Sequence, residues 1–500
     1  MKPMTSFATM NGRFIRHSVV AMFAITIARC SVAQETAGWT GAKITKTDLL
    51  KGETNHGKSA YFFASVMTRE GCHVAKVEGE RDKEVFVRRD GQRGQTYVDI
   101  THPVFSSDGS ALAYAVRGVA GSRFIINEQE GPKFDLVLPD TFVFSNDGKR
   151  HAYLAKKAWN LVAVVDGALQ PDAGGGLAAW NVKPAFSPDG SKAAYVARNR
   201  ESGKLCVVVN GKASDLHDGL DERFLTFSTD STRFAYAANE GTKWLRVVDG
   251  KRGPGFVGLG IDFVFSSDGK RTAYTGRNGQ QWFLVVDGKV EAKIEGIVDG
   301  TLTFSPDGKR LACAVAKPDR SAYILVDGKS GPVHDGIGGS MPPGVAPNRA
   351  SMQTVYALGS GTSVLFSPDS RRIAYLAHSG RMKRVYVDGK ADEIEMDSLV
   401  GGMVFSDDSK RLAYEGRQGN NFFLVVDGKK GTDYDALGYF GFSPDGNHIA
   451  FTAKKGGQMV IVVDGQERGE YDAVPAGPVF RSDGVLEFLA ADKSSLTELK

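Results

Sequence analysis

Short apolar runs alternate with polar turn sequences along most of the chain. In the stretch 301–337, residues 302–305, 311–316 and 323–326 are apolar or β-branched runs of strand length, and a fourth run ends at Gly336. No window places apolar residues at a sustained helical spacing. The pattern therefore predicts β-strands and excludes a helical solenoid.

Two kinds of turn separate these runs. The first, at 306–309, reads Pro-Asp-Gly-Lys; proline suits the second position of a tight turn, and glycine tolerates a positive φ. The second, Asp-Gly at 327–328, is a strong signal for a two-residue hairpin. Both turns recur in phase. The Phe-Ser-x-Asp sequence that contains the first turn begins at Phe105, Phe144, Phe186, Phe227, Phe265, Phe304, Phe366, Phe405 and Phe442, with a degenerate copy at Phe480. The second turn begins at Asp90, Asp166, Asn210, Asp249, Asp287, Asp327, Asp388, Asp427 and Asp464.

The spacing of these copies predicts the fold. Successive copies of Phe-Ser-x-Asp lie 39, 42, 41, 38, 39, 62, 39, 37 and 38 residues apart. A period near 40 with four strands per unit is typical of propeller blades. We therefore predict an all-β propeller of about ten to eleven four-stranded blades. Ordinary rings have about four to eight blades, so we favour two tandem rings, with one wide ring as the alternative.

The unit boundaries divide the chain into five segments. Residues 1–33 are predicted to be a signal peptide, and 34–58 a lead-in; 59–337 hold blades 1–7, 338–361 an insertion loop or linker, and 362–500 blades 8–11. The last unit is short. We expect residues 39–50 to supply its missing strand and so close the ring.

The N-terminus has the features of an export signal. Arg13 and Arg16 precede an apolar run at 19–27, which is too short to span a bilayer. No later stretch is long and apolar enough to do so. The sequence therefore predicts a periplasmic or secreted protein without a transmembrane segment.

The residues at the end of this signal indicate where it is cut. Ser31 and Ala33 provide small side chains for a cleavage before Gln34. A lipoprotein anchored at Cys30 is disfavoured because Arg29 directly precedes that cysteine.

Charge excludes one class of partner. The whole chain carries a net charge of +4, and residues 1–33 contain four basic residues and no acidic ones. The mature chain is therefore neutral, which gives no electrostatic case for nucleic-acid binding.

Candidate catalytic and metal-binding residues form no recognisable set. The histidines fall on different units without metal-ligand spacing, and three cysteines at unrelated positions imply neither a disulfide framework nor a zinc site. One carboxylate per turn cannot hold calcium, so each turn aspartate is expected to cap its own turn. Trp244 and Trp282 begin third strands, where they either pack between blades or form a stacking platform for sugars. We predict no catalytic residues, no metal and no cofactor.

The repeat resembles a known family. The segment 304–312, Phe-Ser-Pro-Asp-Gly-Lys-Arg-Leu-Ala, is similar to the WD40-like repeats of TolB-type and dipeptidyl-peptidase-type β-propellers, and the resemblance covers 59–500. The Val-Val-Asp-Gly-Lys hairpin resembles that of exported bacterial propellers. The chain lacks the Gly-His and Trp-Asp pairs of WD repeats proper. Residues 34–58 show no α/β domain, so a Pal-type partner does not carry over. No Gly-x-Ser-x-Gly elbow occurs, so the peptidase activity does not carry over either.

Propeller topology predicts where a partner binds. Both stereotyped turns fall on one face, and the variable two-to-three loops and inter-blade links fall on the other, where binding sites are usually built. These loops lean basic, which suggests an anionic ligand, although neighbouring links are acidic. The candidate partner-binding residues are Arg198, Arg200, Arg277, Gln281, Met341, Arg349, Gln353, Tyr356, Arg381, Lys383 and Arg417.

These observations favour an exported, non-catalytic propeller that serves as a binding scaffold for a protein or a glycan. One alternative is a propeller enzyme of lyase or lactonase type with its site at the central channel. The innermost strands are poor in the His, Asp and Glu residues that such a site needs. Another is an accessory subunit of a separate hydrolase. The sequence leaves the partner and the oligomeric state open.

Overall fold

The protein is built from antiparallel β-sheets. The computed structural model describes residues 30–35, 45–48, 62–68, 71–80, 84–118, 121–158, 160–170, 174–177, 183–199, 201–338, 364–380, 382–481 and 483–491. In these ranges 46 strands form eleven sheets, which confirms the predicted all-β class and blade count. No helix in the described ranges is long and apolar enough to cross a membrane.

Each sheet is one blade, and blades are numbered in chain order. The N-terminal strands are β1 (Cys30–Glu35) and β2 (Thr45–Asp48). Blade 1 contains β3 (Phe62–Thr68), β4 (Gly71–Glu80), β5 (Glu84–Arg89) and β6 (Gln92–Tyr97). Blade 2 contains β7 (Asp99–Phe105), β8 (Leu112–Gly118), β9 (Gly121–Ile126) and β10 (Gln129–Glu130). Blade 3 contains β11 (Leu136–Phe144), β12 (His151–Lys157), β13 (Asn160–Val165) and β14 (Ala168–Leu169). Blade 4 contains β15 (Gly174–Leu177), β16 (Ala185–Phe186), β17 (Ala193–Asn199), β18 (Leu205–Val209) and β19 (Lys212–Ala213).

The next four blades follow the same order. Blade 5 contains β20 (Gly219–Phe227), β21 (Phe234–Glu240), β22 (Lys243–Val248) and β23 (Lys251–Arg252). Blade 6 contains β24 (Gly258–Phe265), β25 (Thr272–Asn278), β26 (Gln281–Val286) and β27 (Lys289–Ile294). Blade 7 contains β28 (Thr303–Phe304), β29 (Leu311–Ala316), β30 (Ala322–Val326) and β31 (Lys329–His334). Blade 8 contains β32 (Gly336–Ile337), β33 (Val364–Phe366), β34 (Ile373–Ser379), β35 (Met382–Val387) and β36 (Lys390–Ala391).

Three blades complete the molecule. Blade 9 contains β37 (Ser398–Phe405), β38 (Leu412–Gln418), β39 (Asn421–Val426) and β40 (Lys429–Lys430). Blade 10 contains β41 (Ala436–Phe442), β42 (Ile449–Lys455), β43 (Gln458–Val463) and β44 (Gln466–Tyr471). Blade 11 contains β45 (Ala473–Phe480) and β46 (Leu486–Ala491), which join β1 and β2 in the order β2-β1-β46-β45. First strands of successive blades contact one another, which places them innermost.

The first turn of each unit is closed by its own serine and aspartate. In blade 7 the hydroxyl of Ser305 donates to Asp307 (2.6 Å) and accepts from the backbone N–H of Arg310 (2.9 Å). Asp307 also accepts from the backbone N–H of Lys309 (3.1 Å), and Gly308 has the expected positive φ of 70°. The aspartate therefore caps its own turn, as predicted. The same Ser–Asp bond occurs at Ser106, Ser145, Ser187, Ser228, Ser266, Ser367, Ser406 and Ser443.

The second turn is tied to the first, and to the next blade, by an arginine. Asp327, at φ 50°, accepts from the backbone N–H of Leu311 (2.9 Å) and from Nε of Arg310 (3.0 Å). Nη1 of Arg310 donates to the carbonyl oxygen of Ser370 in blade 8 (3.2 Å). We call this arrangement the arginine latch. It recurs at Arg150, Arg233, Arg271, Arg372 and Arg411.

The blades form one ring. Across the long step between blades 7 and 8, Ala312 and Ile324 share a buried cluster with Ile337, Phe366 and Tyr375. The described strands of blade 11 contact those of blade 1, through β45 with β3 and β46 with β4. The structure therefore has the single wide ring rather than the two tandem rings that we favoured.

Two segments join the ring in ways that the repeat pattern did not specify. Both β32 and β33 pair with β34, so the insertion between them interrupts the inner strand of blade 8. At the N-terminus, β1 pairs with β46 from Cys30 opposite Ala491 to Glu35 opposite Leu486, and β2 pairs with β1. The predicted cleavage before Gln34 lies within β1.

The ring has two different faces. In the blades that carry it, the arginine latch places both stereotyped turns on one side, the turn face. On the other side, the loop face, aspartates of the inter-blade links accept hydrogen bonds from backbone N–H groups of the two-to-three loops. These aspartates are Asp135, Asp218, Asp335, Asp397 and Asp435, at 2.6 to 2.8 Å.

Candidate functional site

The predicted binding residues are spread over the loop face. Residues 200, 341, 349, 353, 356 and 381 lie outside the described residues. Of the others, Arg198 belongs to blade 4, Arg277 and Gln281 to blade 6, Lys383 to blade 8 and Arg417 to blade 9. Blade 6 is thus the only blade that brings two described candidates together.

In blade 6 the two candidates have different surroundings. Nε2 of Gln281 donates to the backbone carbonyls of Trp282 and Ile294, both at 2.9 Å, so this amide supports the blade. Arg277 is exposed, with its guanidinium 5.9 Å from the Trp282 ring centroid. A methyl group on Gly258 would lie 3.2 Å from Nε of Arg277, so the arginine borders the start of β24. Arg277 is therefore the candidate available for a ligand.

A cleft lies between blades 5 and 6, on the other side of blade 6 from Arg277, which pairs across the strands with Trp282. Its volume is about 290 Å³. The lining residues are Asp221, Ala237, Trp244, Val257, Gly258, Leu259, Gly260 and Ile261. They come from the first three strands of blade 5 and from the start of blade 6, so the cleft opens near the loop face.

Strand register places one wall of the cleft on a single side of blade 5. Asp221 pairs with Ala237, which pairs with Arg246, so these side chains share a side. Trp244 lies two residues before Arg246 and shares that side, because strand side chains alternate. The opposite side of the blade, with Leu220 and Leu245, is packed in an apolar cluster.

Arg246 departs from the repeat at this interface. It lies three residues before the hairpin aspartate of blade 5, and the corresponding residue in blades 1 to 4 and 6 to 10 is apolar. Those residues are Val87, Phe124, Ala163, Val207, Leu284, Ile324, Val385, Leu424 and Ile461. In the local cluster, Phe256, Tyr274 and Val285 are fully buried. Leu259, which packs against this cluster, also lines the cleft.

The guanidinium of Arg246 is held behind the cleft. The side chain is 1% exposed, and Nη2 donates to the carbonyl oxygen of Gly260 on the cleft-lining strand (3.2 Å). Its carbon Cζ lies 5.3 Å from the Phe263 ring centroid. Burial raises the pKa of the nearby Tyr274 hydroxyl to about 12, against an opposing effect of Arg246. Arg246 therefore fixes the position of the cleft wall and gives it a positive charge.

Trp244 is anchored through its backbone. Its N–H donates to the carbonyl of Phe256 (2.7 Å), and its carbonyl accepts from the N–H of Phe256 (2.8 Å). The next residue of this link, Val257, is 60% exposed and donates its N–H to the side chain of Asn278 (3.0 Å). The half-buried indole therefore lies on a rigid edge next to an exposed aliphatic surface.

One buried carboxylate ties the cleft strand to the next blade. Asp262, which follows Ile261, is 8% exposed and accepts from the backbone N–H of Gly300 through both oxygens (3.0 and 2.9 Å). Burial raises its pKa to about 6, with a further contribution from the charge of Asp299. Asp262 points towards blade 7 and not into the cleft. Its contacts indicate a structural role.

The described residues contain no group of three or more His, Cys, Asp or Glu side chains that could hold a metal ion. The sequence singled out Trp244, but it did not indicate that Arg246 and Asp221 lie near Trp244 at one cleft. Arg246 could have been noticed in the sequence, because it is charged where the corresponding residue of the other repeats is apolar.

Comparison with known proteins finds no matching family model and no matching curated protein. Similar solved structures include a eukaryotic initiation factor, at 14% identity and TM-score 0.38, covering 75% of this chain and 97% of that one. TolB from Acinetobacter baumannii matches at 13% identity and TM-score 0.24, covering 62% and 79%. The β-propeller domain of the Trilobed protease from Pyrococcus furiosus matches at 13% identity and TM-score 0.27, covering 59% and 97%.

These similarities concern the fold alone. The chain's own sheets define its class: it is a β-propeller of eleven blades.

Proposed function

We propose that this protein is an exported, non-catalytic scaffold that binds a glycan in the cleft between blades 5 and 6. The observation that carries the proposal is the half-buried Trp244 beside Asp221 in a cleft of about 290 Å³. An indole face packs against the apolar face of a sugar ring, and a carboxylate accepts hydrogen bonds from sugar hydroxyls.

The size of the cleft favours a glycan over a protein as the ligand. A stable protein interface buries about 800 Å² on each partner. The cleft lies near the lower end of the range of small-ligand sites, which begins at about 300 Å³. A sugar unit within a longer chain suits such a cleft. Val257 at the rim would then contact a neighbouring unit.

The carboxylates support binding rather than hydrolysis. Glycoside hydrolysis ordinarily uses two carboxyl groups facing one bond. Asp221 is the carboxylate that lines this cleft, and Asp262 on the neighbouring strand is engaged by backbone N–H groups of blade 7. A single carboxylate with an aromatic platform is a recognition arrangement.

The test is a titration of the full-length protein with soluble tetrasaccharides, namely the cello-, malto-, chito- and oligouronate series, by isothermal titration calorimetry. Trp244→Ala removes the platform. Trp282→Ala is the matched control, because Trp282 occupies the corresponding position in blade 6 and packs in an apolar cluster outside the cleft. We expect one series to bind, with at least about tenfold weaker binding by Trp244→Ala and unchanged binding by the control.

Each other outcome counts against the proposal. Failure of every series to bind, or equal loss of binding in both tryptophan variants, would overturn the glycan site. Appearance of shortened or unsaturated products on prolonged incubation would favour the enzyme alternative instead.

A further inference from the structure

The cleft between blades 5 and 6 has two walls of different chemistry. The blade 5 wall carries Asp221 on β20, Ala237 on β21 and Trp244 on β22. The blade 6 wall is the segment 257–261, in which every residue other than glycine is aliphatic. These aliphatic residues are Val257, Leu259 and Ile261. A ligand in the cleft therefore meets an indole and a carboxylate on one wall and aliphatic side chains on the other.

The aliphatic wall is open to solvent. Val257 is 60% exposed, which is the highest fraction among the large hydrophobic side chains of the described residues, and Ile261 is 40% exposed. Leu259 between them packs against the buried cluster of Phe256 and Tyr274, which holds this wall in place. Removal of exposed apolar surface from water is favourable. The wall therefore favours the C–H surface of a ligand over its hydroxyl groups.

Backbone polar groups of the same wall already have partners within the protein. The N–H of Val257 donates to the side chain of Asn278 (3.0 Å), and the carbonyl of Gly260 accepts from Nη2 of Arg246 (3.2 Å). The start of β24 also pairs with β25. A ligand hydroxyl turned towards this wall would lose its hydrogen bonds to water and meet aliphatic groups instead, which is unfavourable.

The carboxylate of the cleft lies beside the indole on the blade 5 wall. One strand, β21, separates Asp221 on β20 from Trp244 on β22. Since neighbouring strands lie about 4.8 Å apart, the backbones of these two residues are at least about 10 Å apart along the wall. Asp221 is therefore placed for hydroxyls at the rim of a sugar ring that stacks on the indole. Its negative charge also disfavours a uronic acid unit.

We infer that the glycan, whose binding here rests on the proposed function, is a neutral chain of gluco-configured units with equatorial linkages, as in cellulose and chitin. Each ring of such a chain has axial C–H groups on both faces and directs its hydroxyls outward from its rim. It therefore presents apolar surface to both walls and hydroxyls to Asp221. An axial hydroxyl, as in mannose or galactose units, or an axial linkage, as in α-linked glucose chains, would face an apolar wall.

The experiment is isothermal titration calorimetry of the full-length protein with tetrasaccharides that differ in one ring substituent. Cellotetraose and chitotetraose are equatorial throughout, whereas maltotetraose, β-mannotetraose and β-galactotetraose, all linked through the same carbons, carry one axial oxygen in each ring. We expect cellotetraose or chitotetraose to bind at least about tenfold tighter than each axial sugar, because a buried hydroxyl without a partner weakens binding.

A pair of variants tests the aliphatic wall. V257S/I261S places hydroxyls on this wall, and it should reduce the discrimination to less than about threefold, because a serine can pair with an axial hydroxyl. The matched control is V290S/V333S, which changes two valines that are 47 and 57% exposed on the outer strands β27 and β31. The control should discriminate as the wild-type protein does.

The remaining outcomes overturn the inference, and they separate it from the glycan site itself. Equal or tighter binding of an axial sugar would reject the equatorial geometry; if Trp244→Ala weakens that binding, the glycan site still stands. Unchanged discrimination in V257S/I261S would likewise reject the role of the aliphatic wall. Failure of every tetrasaccharide to bind would overturn the glycan site and this inference together. Circular dichroism of both variants shows that the comparison is made on folded protein.

Discussion

The two sides of blade 6 show how this repeat makes both a sealed interface and an open one. Towards blade 7, Leu284, Leu302 and Phe304 belong to a broad buried cluster. Towards blade 5, the fully buried cluster shrinks to three residues, and a cleft of about 290 Å³ opens beside it. Both interfaces join blades with the same strand order. The difference therefore comes from side chains at a few repeat positions and not from the fold.

A ring of repeats can tolerate a sparsely packed interface without losing its fold. Each blade of a repeat structure is stabilised mainly by its neighbours, so a local defect costs only its own interface. A binding site can then form at a sparsely packed interface without loss of the fold.

Removal of Phe304 should give the largest effect. Phe304 is 8% exposed within the sealed interface, and Phe304→Ala leaves a cavity that should lower the free energy of unfolding by about 3–5 kcal/mol. Phe263→Ala, on the open side of blade 6, should cost less than half as much, because that ring is only half-buried. Urea denaturation of both variants checks this prediction. Equal losses would mean that the two interfaces do not differ in packing.

A third interface, between blades 9 and 10, also contains a buried charged residue. Glu415 in blade 9 is 3% exposed, and it pairs across the strands with Leu424, the counterpart of Arg246. Burial raises its pKa to about 7, above the ordinary value of 4.5. The folded protein thus binds this proton more tightly than the unfolded chain does. The resulting stabilisation is complete below pH 4.5 and is lost as the pH rises through 7.

The expected size of this loss is about 3 kcal/mol between pH 4.5 and 8, at 1.36 kcal/mol per pKa unit. Glu415→Gln should remove that part of the slope in urea denaturation curves recorded at several pH values. Glu470→Gln, at an exposed site, should leave the slope unchanged. A residual slope from Asp262, whose pKa is also raised, should persist in both variants. Identical slopes for Glu415→Gln and wild type would contradict the assignment.

The repeat pattern predicted the blades because each turn is specified locally. Ser305, Asp307 and Gly308 close their own turn within a few residues, so sequence spacing alone places the strands. The number of rings and the pairing of β1 with β46 depend on contacts between distant residues, which the repeat does not encode. The repeat spacing also did not predict that residues 339–363 divide the inner strand of blade 8 into β32 and β33.

The candidate site was predictable only in part, for a related reason. Trp244 is conspicuous in the sequence, but its place in a cleft depends on how β22 packs against the start of β24. Arg246 was visible as a departure from an apolar column. Its contact with the carbonyl of Gly260 could not be predicted, because Gly260 belongs to the next blade.

Replacement of the buried Arg246 by an apolar residue should separate stability from binding. Arg246→Leu gives blade 5 the residue found at this position in blades 6 and 9. Since apolar replacement of a buried ion is often neutral or stabilising, the melting temperature should stay the same or rise. Glycan binding should weaken about tenfold, because the carbonyl of Gly260 loses its donor and the cleft wall shifts. Arg246→Lys, which keeps the charge, should show intermediate binding. A marked drop in melting temperature with unchanged binding would show that Arg246 only supports the fold.

The smallest effect should come from the arginine latch, which both kinds of interface share. Arg310 is one-third exposed, so loss of its bonds to Asp327 and to blade 8 in Arg310→Ala should cost only about 1 kcal/mol. Lys309→Ala, at a side chain 82% exposed, should cost nothing measurable and serves as the control.

Blade 4 contains a natural substitute for this latch, which allows a sharper version of the test. There Lys192 takes the place of the arginine and donates to the carbonyl oxygens of Ser231 (2.7 Å) and Thr232 (3.1 Å), while Asn210 replaces the hairpin aspartate. Arg310→Lys alone leaves Asp327 without its Nε donor, so its loss should approach that of Arg310→Ala. The double variant Arg310→Lys/Asp327→Asn reproduces the pair of blade 4 and should recover much of the loss in urea denaturation. If the double variant is no more stable than Arg310→Lys, the lysine latch of blade 4 depends on the neighbours of that blade and not on the pair itself.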